Sequence, residues 1–365
     1  MRIVVTGAHG FLGWHVRAAL RARNTDEIVA VGRELDGDPA ALDALVAGAD
    51  AVLHLAGVNR ADDDELRGTN ERLARSLTGA LGRTGSRARV VYSDSIQAGN
   101  GTPYGDGKAA AAAHLRAWAV DAGAGAVDVR LPNLFGEHGR PGYNSFVATF
   151  CHSLATGGQP TVDVDREVPL LHAQDAADHL LAAIEGGPDV VEPAGTPRMV
   201  SQVLATLTTH RDLYAKAEIP DVDDPFDLAL FNTYRSYRFP QMFPYLPTVH
   251  ADQRGELFEC LRAHRGQAQV FCSSSVPGAV RGNHFHRRKV ERFQVLRGEA
   301  VIALRKVLTG ETIEFRVSGD TPSLVDMPTM WSHSITNVGD SDLLTLFWTA
   351  DLLDQASPDT YPDVV

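Results

Sequence analysis

The stretch Gly278-Ala-Val-Arg-Gly-Asn-His284-Phe-His286-Arg-Arg-Lys-Val-Glu291-Arg-Phe-Gln-Val-Leu-Arg-Gly298 decides how the second half of this chain folds. Residues two apart on a strand point to the same face, so His284 and His286 share one side of it. Glu291 stands at the strand's end or on the next strand and can join them, and His333 follows as a fourth candidate. Ligands converging in this way suit the interior of a small β-barrel. The chain opens quite differently, with Thr6-Gly7-Ala8-His9-Gly10-Phe11-Leu12-Gly13, a glycine-rich turn of the dinucleotide-binding kind. Two unlike halves have been joined.

Length agrees with that count. A chain of 365 residues exceeds the size at which a single core usually stops growing, so two domains are expected. With 34 Lys and Arg against 46 Asp and Glu, the net charge of −12 disfavours a nucleic-acid partner, which needs a basic surface. The Arg-rich spots at 254–265 and 281–292 read as local anion contacts or a solvated face. The chain starts directly on an apolar strand without a charged-then-apolar leader, and no window approaches a membrane span, so a soluble, cytoplasmic protein is expected. Cys151, Cys260 and Cys272 are odd in number and lack metal-type spacing, and are read as buried thiols.

Apolar runs at 2–6, 28–32, 51–56 and 89–93 read as buried parallel strands, and the Ala- and Leu-rich segments 14–22, 40–47 and 70–82 between them carry a helical period. Strand, helix, strand repetition implies an α/β doubly wound parallel sheet of Rossmann type. Further helical segments at 145–156, 173–184 and 201–217 fit a substrate-covering extension of the same domain. The Pro- and aromatic-rich passage 239–247 breaks periodicity and marks a linker, which sets the expected domains at 1–245 and 246–365. Beyond it, short runs at 301–304, 312–317 and 343–348 punctuated by Gly or Pro carry an all-β signature.

A glycine turn between strand and helix lets backbone amides and the helix N-terminus approach a pyrophosphate. The three-residue spacing of Gly7, Gly10 and Gly13 resembles that of extended short-chain dehydrogenase/reductases. Cofactor contacts are expected from Gly7, His9, Gly10, Phe11, Leu12 and Gly13, and from Leu55 and Ala56 at the end of the 51–56 run. The strand that should meet the adenosine ribose ends in Val31-Gly32-Arg33 rather than in an acid. An arginine there suits a 2′-phosphate and points to NADPH; an ordinary exposed turn residue, with Glu34 beside it, is the other reading of Arg33.

Tyr104 and Lys108 form Tyr-x-x-x-Lys, one helical turn apart on one face. A nearby ammonium is expected to lower the phenol's pKa and allow proton delivery to a carbonyl oxygen while hydride reaches the carbon. Ser95, favoured over Ser93 by its offset in the reductase pattern, is expected to hydrogen-bond the same oxygen and the substrate. Related dehydratases carry an acidic pair directly after the hydroxyl residue; here Ile96 and Gln97 stand there, so plain ketone reduction is the better reading. In Arg130-Leu-Pro-Asn-Leu-Phe-Gly-Glu137, which resembles the segment flanking the nicotinamide, Asn133 is a substrate-contact candidate or simply a turn former.

His284, His286, Glu291 and His333 make an N3O set suited to zinc or another divalent first-row metal. The later passage Pro328-Thr-Met-Trp-Ser-His333-Ser-Ile-Thr-Asn337 resembles the second motif of cupins, with Met330 in place of its glycine. The departure concerns a turn and not a ligand. A packed, metal-free barrel is the alternative.

The chain as a whole resembles the CapF family of capsular polysaccharide assembly proteins. The likeness rests on the glycine turn, Ser95-Ile-Gln-Ala, Pro103-Tyr-Gly-Asp-Gly-Lys108, Asp252-Gln-Arg-Gly-Glu256, Arg281-Gly-Asn-His-Phe-His286, the 289–293 segment, His333-Ser-Ile-Thr-Asn-Val-Gly339 and Pro358-Asp-Thr-Tyr361, and is densest from Asp252 onward. The resemblance implies an extended short-chain reductase fused to a C-terminal cupin barrel. It implies that the cupin half inverts carbon 3 of a UDP-2-acetamido-2,6-dideoxy-4-hexulose and that the reductase half reduces the 4-ketone with NADPH to UDP-2-acetamido-2,6-dideoxy-L-talose. It also implies a homodimer paired through the barrels. Lys289 and His284 are the candidates for the barrel base. A dTDP-linked keto sugar, or a non-catalytic nucleotide-sugar-binding protein, are the alternatives; intact Ser95, Tyr104 and Lys108 argue against the second.

Overall fold

The computed structural model describes residues 1–24 and 26–365, and they form two compact units. The first comprises residues 1–135, 139–146 and 166–199. Its centre is a six-stranded parallel sheet in the order Glu27–Val31, Arg2–Thr6, Ala51–His54, Arg89–Ser95, Ala126–Leu131, Val190–Val191. These strands are apolar on both faces because helices cover both. Ile3 and Val5 pack toward Val16 and Leu20 of helix Phe11–Arg23 and Leu180 of helix Ala173–Glu185. Val4 and Val52 face Leu77 of helix Asp63–Arg83 and Leu115 of helix Pro103–Ala122. The strand order reverses between Arg2–Thr6 and Ala51–His54, and ligands of open α/β sheets bind in the crevice at such a switch point.

Local signals start the helices. Asp62 caps Asp63–Arg83 by accepting the Glu65 amide at 2.9 Å, and three acidic residues follow in the first turn, where the dipole favours them. That helix begins well before the expected 70–82, because its first turns are polar and its buried face starts only at Thr69. Thr102 caps Pro103–Ala122 through the Gly105 amide, with proline at the first helical position and Gly123 ending it at φ 61°.

The second unit comprises residues 136–138, 147–165 and 200–365. A four-stranded antiparallel sheet runs Gln269–Ser275, Leu343–Thr349, Glu291–Arg297, Val325–Met327. A five-stranded one runs Thr312–Ser318, Glu299–Lys306, Trp331–Asn337, Val280–Phe285, Tyr361–Pro362. Phe293, Val295, Ile302, Leu304, Trp331, Ile335 and Phe347 fill the space between them, the cupin barrel expected from the sequence.

Helices Val200–Tyr214 and Pro225–Arg238, expected with the reductase half, fall in this second unit. The reason is a buried polar clamp. Arg292 and Asp326 pair through two bonds of 2.6 and 3.0 Å at 1% and 0% side-chain exposure. Tyr214 Oη donates to Asp326 at 2.9 Å, Arg235 donates to Met327 O at 2.8 Å, and Arg292 donates to Ala217 O at 2.8 Å. Phe239 then closes over Trp331 at 4.9 Å between ring centroids. Breaking a buried pair strands a charge, so Arg292→Ala is expected to lose about 3–5 kcal/mol in urea unfolding, whereas the paired apolar replacement Arg292→Met with Asp326→Leu loses far less.

Candidate active site and metal centre

In the first unit the glycine turn follows strand Arg2–Thr6 and enters helix Phe11–Arg23 with Gly10 at its N-cap. Gly7 has φ +65°, and a Cβ there would lie 2.7 Å from Ala56 N, so the turn runs hard against the Leu55-Ala56 segment as expected. At Gly13 a Cβ would stand 2.2 Å from Gly7 O, inside the turn itself. The first amides of that helix have no intrahelical partner and make a ready anion seat. Beside it, His9 packs on Gly32, where a Cβ would meet its ring at 3.1 Å. Glu34 accepts the Gly32 amide at 2.7 Å, and bonds from its own amide and that of Gly32 hold its carboxyl below the usual range. Arg33 is exposed beside them.

Ser95 ends strand Arg89–Ser95, and Tyr104 and Lys108 lie in the first turns of helix Pro103–Ala122. The Ser95 hydroxyl accepts the Gln97 amide at 3.1 Å and lies beside the Tyr104 phenol, whose pKa it lowers. Ser93 is occupied otherwise: its hydroxyl donates to His54 O at 3.3 Å and its carbonyl accepts the Lys108 ammonium at 2.7 Å. Ser95 is therefore the serine at the tyrosine. The expected lowering of the phenol's pKa is corrected: burial pushes Tyr104 up, the Ser95 side chain opposes this, and Asp94 adds to it. Lys108 spends its ammonium on Ser93 O and on the face of Tyr92, 4.6 Å from its centroid. Burial brings Lys108 down to about 8, with Asp94 pulling the other way. Asp94, unforeseen in the sequence reading, is itself pushed by burial to about 6.

The sign for Lys108 follows. Its positive charge, which favours an anionic dinucleotide, is present below about pH 8 and lost above it. Dinucleotide affinity followed by fluorescence is expected to be level near neutrality and to fall by up to about tenfold per pH unit well above that point, by proton linkage. Lys108→Arg, charged up to about pH 12, should abolish the break.

Asn133 heads the short strand Asn133–Phe135, paired with Glu167–His172, and is not in a turn. It is exposed, with its amide 3.5 Å from Pro169 O; among the described residues no hydrogen bond joins it to Ser95, Tyr104 or Lys108.

In the second unit His284, His286, Glu291 and His333 come together, with one ligand atom from each lying within 4.8 Å of all the others. His284 and His333 stand on two strands of one sheet and Glu291 on a strand of the other, and His286 lies one residue past the strand that bears His284. Gly282, at φ +99°, bulges the first strand where a Cβ would meet His333 O at 2.6 Å, which sets His284 opposite His333. His286 Nδ1 lies 2.5 Å from Asp359 O and His333 Nδ1 3.3 Å from Trp331 O. A carbonyl only accepts, so both rings carry their proton on Nδ1 and present bare Nε2 lone pairs. These nitrogens stand 2.9 and 3.4 Å from Glu291 Oε2 but off the hydrogen-bond direction, and neither has a hydrogen-bond partner. Burial, then His333 and His286, bring His284 down to about 3, so it stays neutral. Buried, unprotonated nitrogens aimed at one carboxylate fit a divalent metal with an N3O set.

Met330, in place of the motif's glycine, has φ +66° and donates its amide to His286 O at 2.8 Å; the turn is kept at the cost of a strained residue. Asn337 donates to Ser275 O and Ser341 O at 2.8 Å each, pinning the strand that bears His333. A cavity of about 540 Å³ opens over the centre, with Ser273, Ser274, Arg281, His284, Glu291 and Phe293 on its walls. Lys289, expected as the barrel base, is not among them. Its ammonium donates to Pro358 O at 2.7 Å, on the far side of the turn.

The geometry defines a class: a Rossmann-type unit with a Ser-Tyr-Lys set, carried on one chain with a cupin unit bearing a three-histidine, one-glutamate cluster. Residues 3–193 match the NAD dependent epimerase/dehydratase family and residues 250–361 the polysaccharide biosynthesis C-terminal domain. The UDP-2-acetamido-2,6-beta-L-arabino-hexul-4-ose reductase of Pseudomonas aeruginosa is 33% identical over 99% of this chain and 98% of its own length. The crystal structure of the capsular polysaccharide assembling protein CapF from Staphylococcus aureus is 33% identical with a TM-score of 0.65, each chain covered in full. A UDP-N-acetylglucosamine 4-epimerase from Bacillus cereus, 20% identical over 58% of this chain and 82% of its own, with TM-score 0.52, shares the fold of the reductase part. The chain belongs to the NAD dependent epimerase/dehydratase family and, over its whole length, to the CapF family within it. No helix among the described residues is long and apolar enough to cross a membrane.

Proposed function

We propose that this chain is a bifunctional nucleotide-sugar enzyme. Its cupin unit inverts carbon 3 of a UDP-2-acetamido-2,6-dideoxy-4-hexulose, and its reductase unit reduces the 4-ketone with NADPH to UDP-2-acetamido-2,6-dideoxy-L-talose. The reading rests above all on Ser95 lying beside the Tyr104 phenol, with Ile96 and Gln97 where a dehydratase would need acids, and the full-length relative named for reduction of a UDP-linked hexul-4-ose supports it.

A ketone at carbon 4 acidifies the proton at carbon 3, because the enolate left behind spreads its charge onto oxygen. In the cupin unit His284, His286, Glu291 and His333 would hold a divalent metal, zinc by its donor set. Such an ion supplies a Lewis acid for that oxygen. Arg281, whose guanidinium is anchored to Ser275 Oγ at 2.9 Å and Ser274 O at 3.1 Å, offers its remaining donors to an anionic substrate at the cavity rim. In the reductase unit Ser95 and Tyr104 hold the ketone oxygen, Tyr104 delivers the proton, and Lys108 supplies positive charge beneath it. Arg33, exposed beside the glycine turn, would meet the 2′-phosphate of NADPH. Pairing of two chains through the cupin units is part of the reading, and the edge strand Gln269–Ser275, with Val270 56% and Phe271 42% exposed, supports it.

The test is NADPH oxidation by the purified chain with UDP- and dTDP-linked 4-keto-6-deoxyhexoses, with NADH as the alternative donor. Oxidation is expected only with a keto sugar, fastest with the UDP-linked 2-acetamido compound and NADPH. Tight binding of these sugars without any oxidation would instead make the chain a nucleotide-sugar-binding protein.

A further inference from the structure

The segment 283–289 carries two of the four clustered side chains, and residues 358–364 are laid along it. Asp359 is the centre of the contact. Its carboxylate accepts three successive backbone amides, from Arg287 at 3.1 Å and from Arg288 and Lys289 at 2.8 Å each. Its carbonyl takes the Nδ1 proton of His286 at 2.5 Å. One residue therefore closes the turn after His286 and fixes which ring nitrogen faces Glu291. The flanks hold it there. Lys289 Nζ donates to Pro358 O at 2.7 Å, Tyr361 and Pro362 pair with Phe285 and His284, and the Asp363 amide donates to Asn283 O at 2.9 Å. Asp363 is anchored in turn by Arg305 at 2.7 Å and by the Ser332 hydroxyl. Asp359 adopts φ 44°, a left-handed conformation in which aspartate is more often found than most residues.

We propose that Asp359 is a positioning residue of the metal centre, presenting His286 Nε2 in the right tautomer and direction, with Lys289 as the clamp that keeps the 358–364 strap in place. The proposal rests on the metal reading of the four clustered residues. Partners that orient a metal-bound histidine through its second nitrogen commonly matter to affinity almost as much as a ligand does. Lys289 thereby gains a role on the outside of the turn.

The experiment measures zinc affinity of the full chain by chelator competition, and the visible spectrum with cobalt(II) in place of zinc. Asp359→Gly keeps the left-handed backbone and removes the carboxylate; it is expected to weaken zinc binding about 10- to 100-fold and to shift the cobalt bands. Asp359→Asn, which keeps one acceptor oxygen, should lie between it and the parent. Asp363→Asn loosens the same strap away from His286 and should lower the melting temperature with affinity and spectrum unchanged. Parent-like zinc binding and spectra in both Asp359 variants, or an equal loss in Asp363→Asn, would overturn the proposal. A parent chain that takes up neither zinc nor cobalt would instead overturn the metal reading on which it stands.

Discussion

Tyr104→Phe should slow NADPH oxidation by about 10²–10⁴-fold, the range a single positioned proton donor contributes, and leave solvent exchange at carbon 3 of the keto sugar intact. The phenol lies beside Ser95 at the end of the central sheet, and phenylalanine keeps its ring while removing only that donor. Burial holds Tyr104 above its ordinary value, so at neutral pH it is a proton donor, already protonated when hydride arrives. On the proposed function, exchange at carbon 3 depends on side chains of the other unit, and nothing in that unit is altered by the substitution. Loss of both activities together would contradict this division of labour. Ser95→Ala should give a smaller defect of the same kind, because Tyr104 survives it.

His333→Ala should have the opposite signature: exchange at carbon 3 and bound metal are lost, while reduction of a ketosugar already carrying the right configuration persists. His333 is fully buried with its Nε2 lone pair 3.4 Å from Glu291 and without a hydrogen-bond partner, so its removal takes away a quarter of the donor set. Zinc affinity is expected to fall by more than the 10- to 100-fold typical of an outer partner. The variant is also expected to melt earlier, since a buried ring leaves a cavity and Glu291 loses one of the two imidazoles beside it. Zinc analysis, melting curves and exchange kinetics on one preparation check all three. Unchanged exchange in a metal-depleted variant would mean that the cluster is structural.

The two motifs that carry the chemistry were legible because each is local. A glycine turn bounded by a strand and a helix, and a tyrosine one helical turn from a lysine, are fixed by backbone geometry within a few residues. The strands were legible too, as apolar runs bounded by turns; His284 and His286 do converge, their ring centroids 5.0 Å apart, but His286 lies just past the strand that bears His284. What escaped depends on partners far along the chain. Helices Val200–Tyr214 and Pro225–Arg238 join the cupin unit through Arg235, Tyr214 and Asp326, a buried polar clamp that leaves no periodic trace in sequence. Lys289 was a candidate base, but a side chain's direction is set by what it meets, here Pro358 O. Asp359 carried no signal of its own beyond lying in a passage matched to the family. The expected fall in the Tyr104 pKa also depended on an unread fact, that Lys108 is turned to Ser93 O and the Tyr92 ring.

On the proposed function one carbonyl serves two chemistries in turn, loosening the hydrogen on its neighbour in the cupin unit and taking hydride in the reductase unit. The most direct measurement is mass spectrometry and proton NMR of the sugar formed from the UDP-linked 4-keto substrate and unlabelled NADPH in deuterium oxide. The account expects solvent deuterium at carbon 3 and protium from NADPH at carbon 4 of the same product molecules, with carbon 3 inverted. A reduced product that keeps its original hydrogen and configuration at carbon 3 would contradict it.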